Sequence, residues 1–411
     1  MLSMAKPRAR LLALAAGAAT AATLLTPAAT TAAPHGAWVG SFSAAMTTAA
    51  ESGPSAEGFT DTTLRQVAHL SVGGDAVRLR LSNVYGEKPL RIASVTVAPR
   101  DDVDAGTPDV DPGRLRLVTF DGGEMVTVPA GAQWVSDPVP LTVADDTDLV
   151  VSMHLPGPTG PATTHQAGYA TSFQAPGEAT TDSGAAFTRL DTARYFLAGV
   201  DTVTRSRGSV VFFGDSITDG VDSTVDANLR YPDQFADRLL RRPGPRQCGV
   251  LNAGISGNRL LTDAGAAGES ALARFSRDVL AQSGVRSVVL LEGINDIGTS
   301  GGSVEPDEVI AVYRQLIDRA HDAGIRVVGA TLTPFEGASY HTKAGEADRQ
   351  AVNHWIRTSG AFDDVVDFDA VVRDPDDPSR IRPAYDQGDH LHPNDAGFAA
   401  MAEAVGLRSV C

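Results

Sequence analysis

From Ser206 to Cys411 short apolar runs alternate with longer segments of helical period, and few folds accept that pattern. Val210-Val-Phe-Phe213 and Val288-Val-Leu-Leu291 are apolar throughout, as in strands buried on both faces of a sheet. Val250-Leu-Asn252, Arg326–Ala330 and residues 365–368 add three further strand segments. Helical segments fall between them, at 233–241, around 271–282, at 306–322, around 345–358 and from Asn394 onward. In the third of these, Val309, Tyr313, Leu316, Ile317 and Ala320 recur at helical spacing, with Pro306 suited to the first turn and Gly324 to the end. Repeated β-α units of this kind make a parallel sheet with helices on both faces. Ligands collect where such strands run out into loops.

The residues just past those strands carry the chemistry. Gly214-Asp215-Ser216-Ile217 follows the first strand, Asn252-Ala-Gly-Ile-Ser-Gly257 the second, and Gly293-Ile-Asn-Asp296 the third. Asp389-His-Leu-His392 precedes the last helix. Taken alone, Ser216 reads equally as a nucleophile at the sheet mouth or as a helix-capping serine. In that order, however, the four stretches resemble the blocks of the SGNH (GDSL-type) hydrolase superfamily. The resemblance covers the C-terminal half and implies a five-stranded flavodoxin-like sheet.

The resemblance also implies the roles. A serine hydroxyl needs a general base, and the base needs a group to hold it. Ser216 is the expected nucleophile, His392 the base and Asp389 its orienter. His390 competes, because it shares a face with His392 in an extended segment; the family's D-x-x-H spacing selects His392. The oxyanion formed on attack requires preorganised donors. The matching candidates are the Ser216 N–H, the Gly257 N–H and the Asn295 side-chain amide. Asp215, Gly254, Asn258, Arg259 and Asp296 are expected to support these loops.

Two other patterns point elsewhere. Gly298-Thr-Ser-Gly-Gly302 fits a G-x-S-x-G elbow, yet a Gly-Gly pair and further loop intervene before the next helix. Asp386, Asp389, His390, His392 and Asp395 cluster in sequence, but His321, His341 and His354 offer no paired spacing for a hydrolytic metal. The expectation is therefore catalysis with no metal and no cofactor.

The preceding half, about residues 35–204, reads differently. Val77-Arg-Leu-Arg-Leu81, Ile92-Ala-Ser-Val-Thr-Val97, Leu115-Arg-Leu-Val-Thr-Phe120, Met125-Val-Thr-Val128 and Leu149-Val-Val-Ser-Met-His-Leu155 alternate with period two. Turn residues separate them, which predicts an antiparallel all-β domain, a two-sheet sandwich of jelly-roll type. Trp38, Trp134 and Tyr169 are expected as core or interface aromatics rather than sugar-stacking platforms. His165, in a loop-like stretch, is a candidate to overhang the site. The domain boundary is expected near 205, with the catalytic domain over 206–411.

Lys6, Arg8 and Arg10 precede an alanine-rich apolar run, and small residues follow through Ala33. This is the pattern of a secretory signal peptide over residues 1–33, cleaved near Ala32 or Ala33. The formal net charge of −16 disfavours nucleic acid and anionic lipid surfaces. In an oxidising compartment the two cysteines, Cys248 and Cys411, are expected to be bridged. With the resemblance, the leader pattern leads to the expectation of a secreted serine esterase, monomeric and without stable membrane insertion after cleavage. Its expected substrates are small-molecule or polysaccharide esters bearing small acyl groups, on carbohydrate or aryl alcohols. Lipase or phospholipase activity on longer chains, or glycan or wall binding with an inactive hydrolase domain, are the alternatives.

Overall fold

Five parallel strands organise the C-terminal half, in the spatial order Gly249–Gly254, Ser209–Gly214, Val285–Leu291, Arg326–Ala330, Asp364–Val366. Numbered along the chain this is 2-1-3-4-5, the flavodoxin-like order with its switch point beside the first strand. The structure is a computed structural model that describes residues 1–2, 36–100, 106–241 and 247–411. The expected leader segment, from residue 3 onward, lies outside the described residues. Pro34–Cys411 forms a single compact unit.

The first strand is buried along its whole length because neighbours pair with it on both sides and helices cover both faces. Phe212 packs edge-on against Tyr231 and Phe235 of the helix Tyr231–Leu240, and Phe213 against Phe275. The helix Pro306–Asp322 occupies its expected range, opened by a reciprocal capping box between Glu305 and Glu308. The helix expected around 345–358 starts slightly earlier, at Lys343, where Thr342 caps the Gly345 N–H. The strand read at 365–368 stops at Val366, since Asp367 caps a short helix, Phe368–Val372. Asn394 caps the last long helix, Asp395–Ala404.

The preceding half holds two antiparallel sheets that share one apolar core. The four-stranded sheet runs Ala37–Ser43, Leu197–Thr204, Val77–Asn83, Ala132–Val135. The six-stranded sheet runs Thr188–Asp191, Ser172–Pro176, Thr62–Leu70, Thr147–Leu155, Ser94–Arg100, Arg116–Leu117. Leu64, Val95, Val97, Val151 and Met153 from one sheet meet Val77, Leu79, Leu81, Leu197 and Val200 from the other. The run read as one strand over 92–97 divides in two: Leu90–Ile92 pairs with Val126–Val128, and Ser94–Arg100 joins the large sheet. The 115–120 run keeps only Arg116–Leu117 as strand. The aromatic expectation needs correcting at one position. Trp134 is 41 % exposed, because it lies on an outer strand that is exposed or half-buried throughout, whereas Trp38 is half-buried beneath Arg78.

The two halves meet along the outer strand of the parallel sheet. A strand there leaves a row of unpaired backbone groups. The Ser71 hydroxyl accepts from the Val250 N–H at 2.8 Å, and the Ser43 hydroxyl donates to the Asn252 carbonyl at 2.8 Å. Gly40 and Gly249 touch so closely that a Cβ on Gly249 would lie 1.9 Å from the Gly40 oxygen. Arg78, Arg80 and Ser283 converge on the buried Asp201 carboxylate across the same seam. Cys248 is disulfide-bonded to Cys411, with Cα atoms 6.0 Å apart, fastening the chain end to the strand that Cys248 precedes.

Candidate active site

Gly214 is paired with both Gly254 and Leu291, so the first three strands end level with one another. Three loops therefore start at one sheet edge, beside the switch point. In the first, Asp215 caps a single helical turn, Ser216–Asp219, by accepting from the Ile217 N–H at 3.0 Å. Gly220 closes the turn with φ 90°. Ser216 is thereby held at the start of that turn, 5 % exposed.

The fourth segment comes from the far end of the chain. The Asp389 carboxylate accepts from the N–H groups of Leu391 (3.0 Å) and His392 (2.9 Å), which curls Asp389-His-Leu-His392 back on itself. Its other oxygen lies 2.5 Å from His392 Nδ1. His392 Nε2 lies 2.8 Å from Ser216 Oγ. The hydroxyl, the imidazole and the carboxylate thus stand in one hydrogen-bonded line. His390 is turned out of it: with φ 64° it pairs with Asp386 Oδ2 at 2.6 Å. Asp395 is engaged by Thr224, and Ser300 stands at the C-terminal end of the helix Ile294–Thr299, not at a strand-to-helix elbow.

The loops that carry the donor candidates are interlocked. The Asp219 carboxylate accepts from the Ser256 N–H (2.9 Å) and hydroxyl (2.6 Å), tying the Ser216 turn to the loop that bears Gly257. Backbone meets backbone here, since a Cβ on Gly254 would fall 2.2 Å from the Asp219 nitrogen. Gly257 has φ 76°, a conformation that glycine adopts at little cost. The Asn295 amide donates to the Asn258 carbonyl at 2.9 Å, and the Asp296 carboxylate accepts from Leu260 (2.7 Å) and Leu261 (2.9 Å). Asn295 Oδ1 accepts from the Tyr340 hydroxyl at 3.2 Å. Its amide nitrogen, with one hydrogen committed, keeps a second for another acceptor. The N–H groups of Ser216 and Gly257 make no hydrogen bond among the described residues. Arg259 is half-buried, and its charge acts on Asp296.

Burial sets the electrostatics beneath the serine. It pushes the Asp215 carboxyl up to about 7, helped by the Asp296 charge and opposed by the Ile217 N–H and Arg274. Burial, then the Asp215 charge, holds the Glu292 carboxyl well above its ordinary range. Among the described residues Asp215 Oδ2 has no hydrogen-bond partner, and Arg274 Nη2 lies 3.5 Å from the Glu292 carboxylate. At Asp389 burial pushes upward too. The N–H groups of His392 and Leu391 and the His392 ring outweigh it, leaving the carboxyl below its ordinary value. Sequence reasoning missed Asp219, Ser256, Glu292 and Tyr340 as parts of this assembly. Only Asp219, one helical turn after Ser216, left a signal in the spacing.

A parallel sheet with a Ser-His-Asp line at its switch point defines a hydrolase of the α/β class. Residues 212–400 match the GDSL-like Lipase/Acylhydrolase family. That match supports a carboxylic ester hydrolase domain of the SGNH (GDSL-type) hydrolase superfamily in the C-terminal half of the chain. No curated protein matches the chain. Among solved structures, the chain is similar to a putative lipolytic protein of the G-D-S-L family from Desulfitobacterium hafniense DCB-2, at 19% identity and TM-score 0.38 over 49% of this chain and 99% of that one. It is also similar to Axe2, an acetylxylan esterase from Geobacillus stearothermophilus (24% identity, TM-score 0.37, 48% and 92% covered). A putative arylesterase from Agrobacterium tumefaciens str. C58 is comparable, at 19% identity and TM-score 0.35 with 48% and 95% covered.

Proposed function

We propose that the protein is a secreted serine esterase that removes small acyl groups, acetyl foremost, from carbohydrate or aryl esters through an acyl-enzyme. The contact between Ser216 Oγ and His392 Nε2, 2.8 Å long, carries this reading. Ser216 attacks the ester carbonyl while His392 takes the hydroxyl proton and passes it to the departing alcohol. The N–H groups of Ser216 and Gly257 and the free hydrogen of the Asn295 amide stabilise the oxyanion. Water, deprotonated by His392, then attacks the acyl-enzyme and releases the acid. Asp389 holds the imidazole by its Nδ1 and stabilises the cation that forms on it. No step calls on a metal or cofactor.

Secretion is supported by the leader-like pattern of residues 1–33 and by the disulfide, and no described helix is long and apolar enough to cross a membrane. The preference for small acyl groups rests on the resemblance to esterases that carry an N-terminal β-domain. The test is a series of acetyl, butyryl and long-chain esters assayed with wild type and Ser216→Ala. Acetyl esters are expected to be cleaved fastest, and Ser216→Ala to lower kcat by ~10⁴-fold or more. Wild-type rates in Ser216→Ala would remove Ser216 from the mechanism. Fastest turnover of long-chain esters would point to lipase action instead.

A further inference from the structure

A cavity of ≈170 Å³ lies between the β-rich half and the loop that bears Gly257. Thr47, His165 and Gln166 line it from one side, and Ile255, Ala266 and Ala267 from the other. Asp219 and Ser256 also line it, and these two bind each other. Asp219 ends the helical turn that Ser216 begins, and Ser256 adjoins Gly257. The cavity therefore borders the turn that carries Ser216 and the loop that carries Gly257.

Its walls differ in chemistry. Gln166 is exposed, and its amide makes no hydrogen bond among the described residues, so it offers both donors and an acceptor. Thr47 Oγ1 lies 3.2 Å from the Thr164 carbonyl and keeps acceptor capacity. His165 Nε2 stands 3.0 Å from Asp219 Oδ1, while His165 Nδ1 is held 2.8 Å from the Ala45 carbonyl. Ile255, Ala266 and Ala267 give a small apolar surface. A hydrocarbon chain lodged here would offer the Gln166 amide no hydrogen-bond partner. An anionic group would meet the Asp219 carboxylate. A neutral sugar ring, with hydroxyls on its rim and C–H groups on its face, matches both walls.

Resting on the esterase reading above, we propose that this cavity seats a neutral pyranose ring of the substrate, with the β-rich half supplying Gln166 as a specificity-determining residue. The halves are then joined for a chemical reason: the first builds one wall of the pocket that the second uses. The full-length enzyme, Gln166→Leu and Ala266→Phe are to be assayed on a mono-O-acetylated neutral methyl pyranoside, on its uronate counterpart and on 4-nitrophenyl acetate. The readout is the ratio of kcat/KM between each sugar ester and the aryl ester. Wild type is expected to favour the neutral sugar over the uronate. Gln166→Leu should lower the neutral-sugar ratio about tenfold, the loss of one to two hydrogen bonds. Ala266→Phe, which fills the cavity from its exposed rim, should lower it at least as far. A ratio unchanged in both variants, or a wild-type preference for the uronate, overturns the pocket assignment while leaving the esterase standing. A wild type that cleaves none of the three esters overturns the esterase reading itself.

Discussion

Asp389 and His392 show how spacing becomes geometry at the scale of single residues. A carboxylate three positions before a histidine can accept from the N–H of the residue before it and of the histidine itself and still reach the ring, which is what the loop does. The motif was legible for that reason; the family's D-x-x-H spacing selected His392, and His390 is turned away by its left-handed backbone and its bond to Asp386. Glu292 was not legible, since nothing in a sequence marks a carboxyl as fully buried. Its raised pKa has a consequence for stability. The folded state binds a proton that the unfolded chain, with a glutamate pKa of ~4.3, releases above that pH. Stability gained this way is complete below the unfolded value and is lost as pH rises toward the folded one, with a limiting slope of ~1.4 kcal/mol per pH unit. Asp215 adds a second loss of the same sign up to about 7. Glu292→Gln should therefore flatten the decline of unfolding free energy between pH 5 and 8, seen in denaturant titrations. Identical slopes for variant and wild type would mean that Glu292 is ionised in the fold.

Among elements, the outer strand Gly249–Gly254 carries the most instructive burden. Apolar content and spacing marked it as a strand, and the family blocks marked the loop after it. That its outer edge is covered by hydroxyls from the other half was invisible, because Ser43 and Ser71 lie about two hundred positions away in sequence. Ser71 is nearly buried, and its hydroxyl also donates to the Ser41 carbonyl at 2.8 Å. Ser71→Ala would leave the Val250 N–H buried without an acceptor, a loss of about 1–3 kcal/mol. Urea unfolding monitored by tryptophan fluorescence measures it, and a change under about 0.5 kcal/mol would show that water replaces the hydroxyl. The same limit explains the strand errors in the first half. Alternation reveals which face a residue takes but not which partner, so the run over 92–97 gave no sign of its division between two pairings.

At the scale of the whole molecule, the chain reads as two composition classes but packs as one unit from Pro34 to Cys411. The seam is ionic at Asp201 and tight at Gly40 and Gly249, and residues of both halves line the cavity at Asp219 and Ser256. The Cys248–Cys411 bridge closes a loop of 163 residues, for which chain entropy gives about 5 kcal/mol. Replacing both cysteines with serine should lower the unfolding free energy by up to that amount, with near-wild-type turnover at low temperature. An unchanged melting temperature would deny the bridge a stabilising role. The claim on which everything else rests is that Ser216, at the mouth of the first parallel strand, is the nucleophile. Its most direct measurement is covalent labelling with a serine-directed phosphonate, followed by peptide mass mapping. A single adduct on the peptide containing Ser216, absent in Ser216→Ala, is the predicted result. An adduct on Ser300 or another serine, or none at all on an enzyme that still cleaves esters, would contradict it.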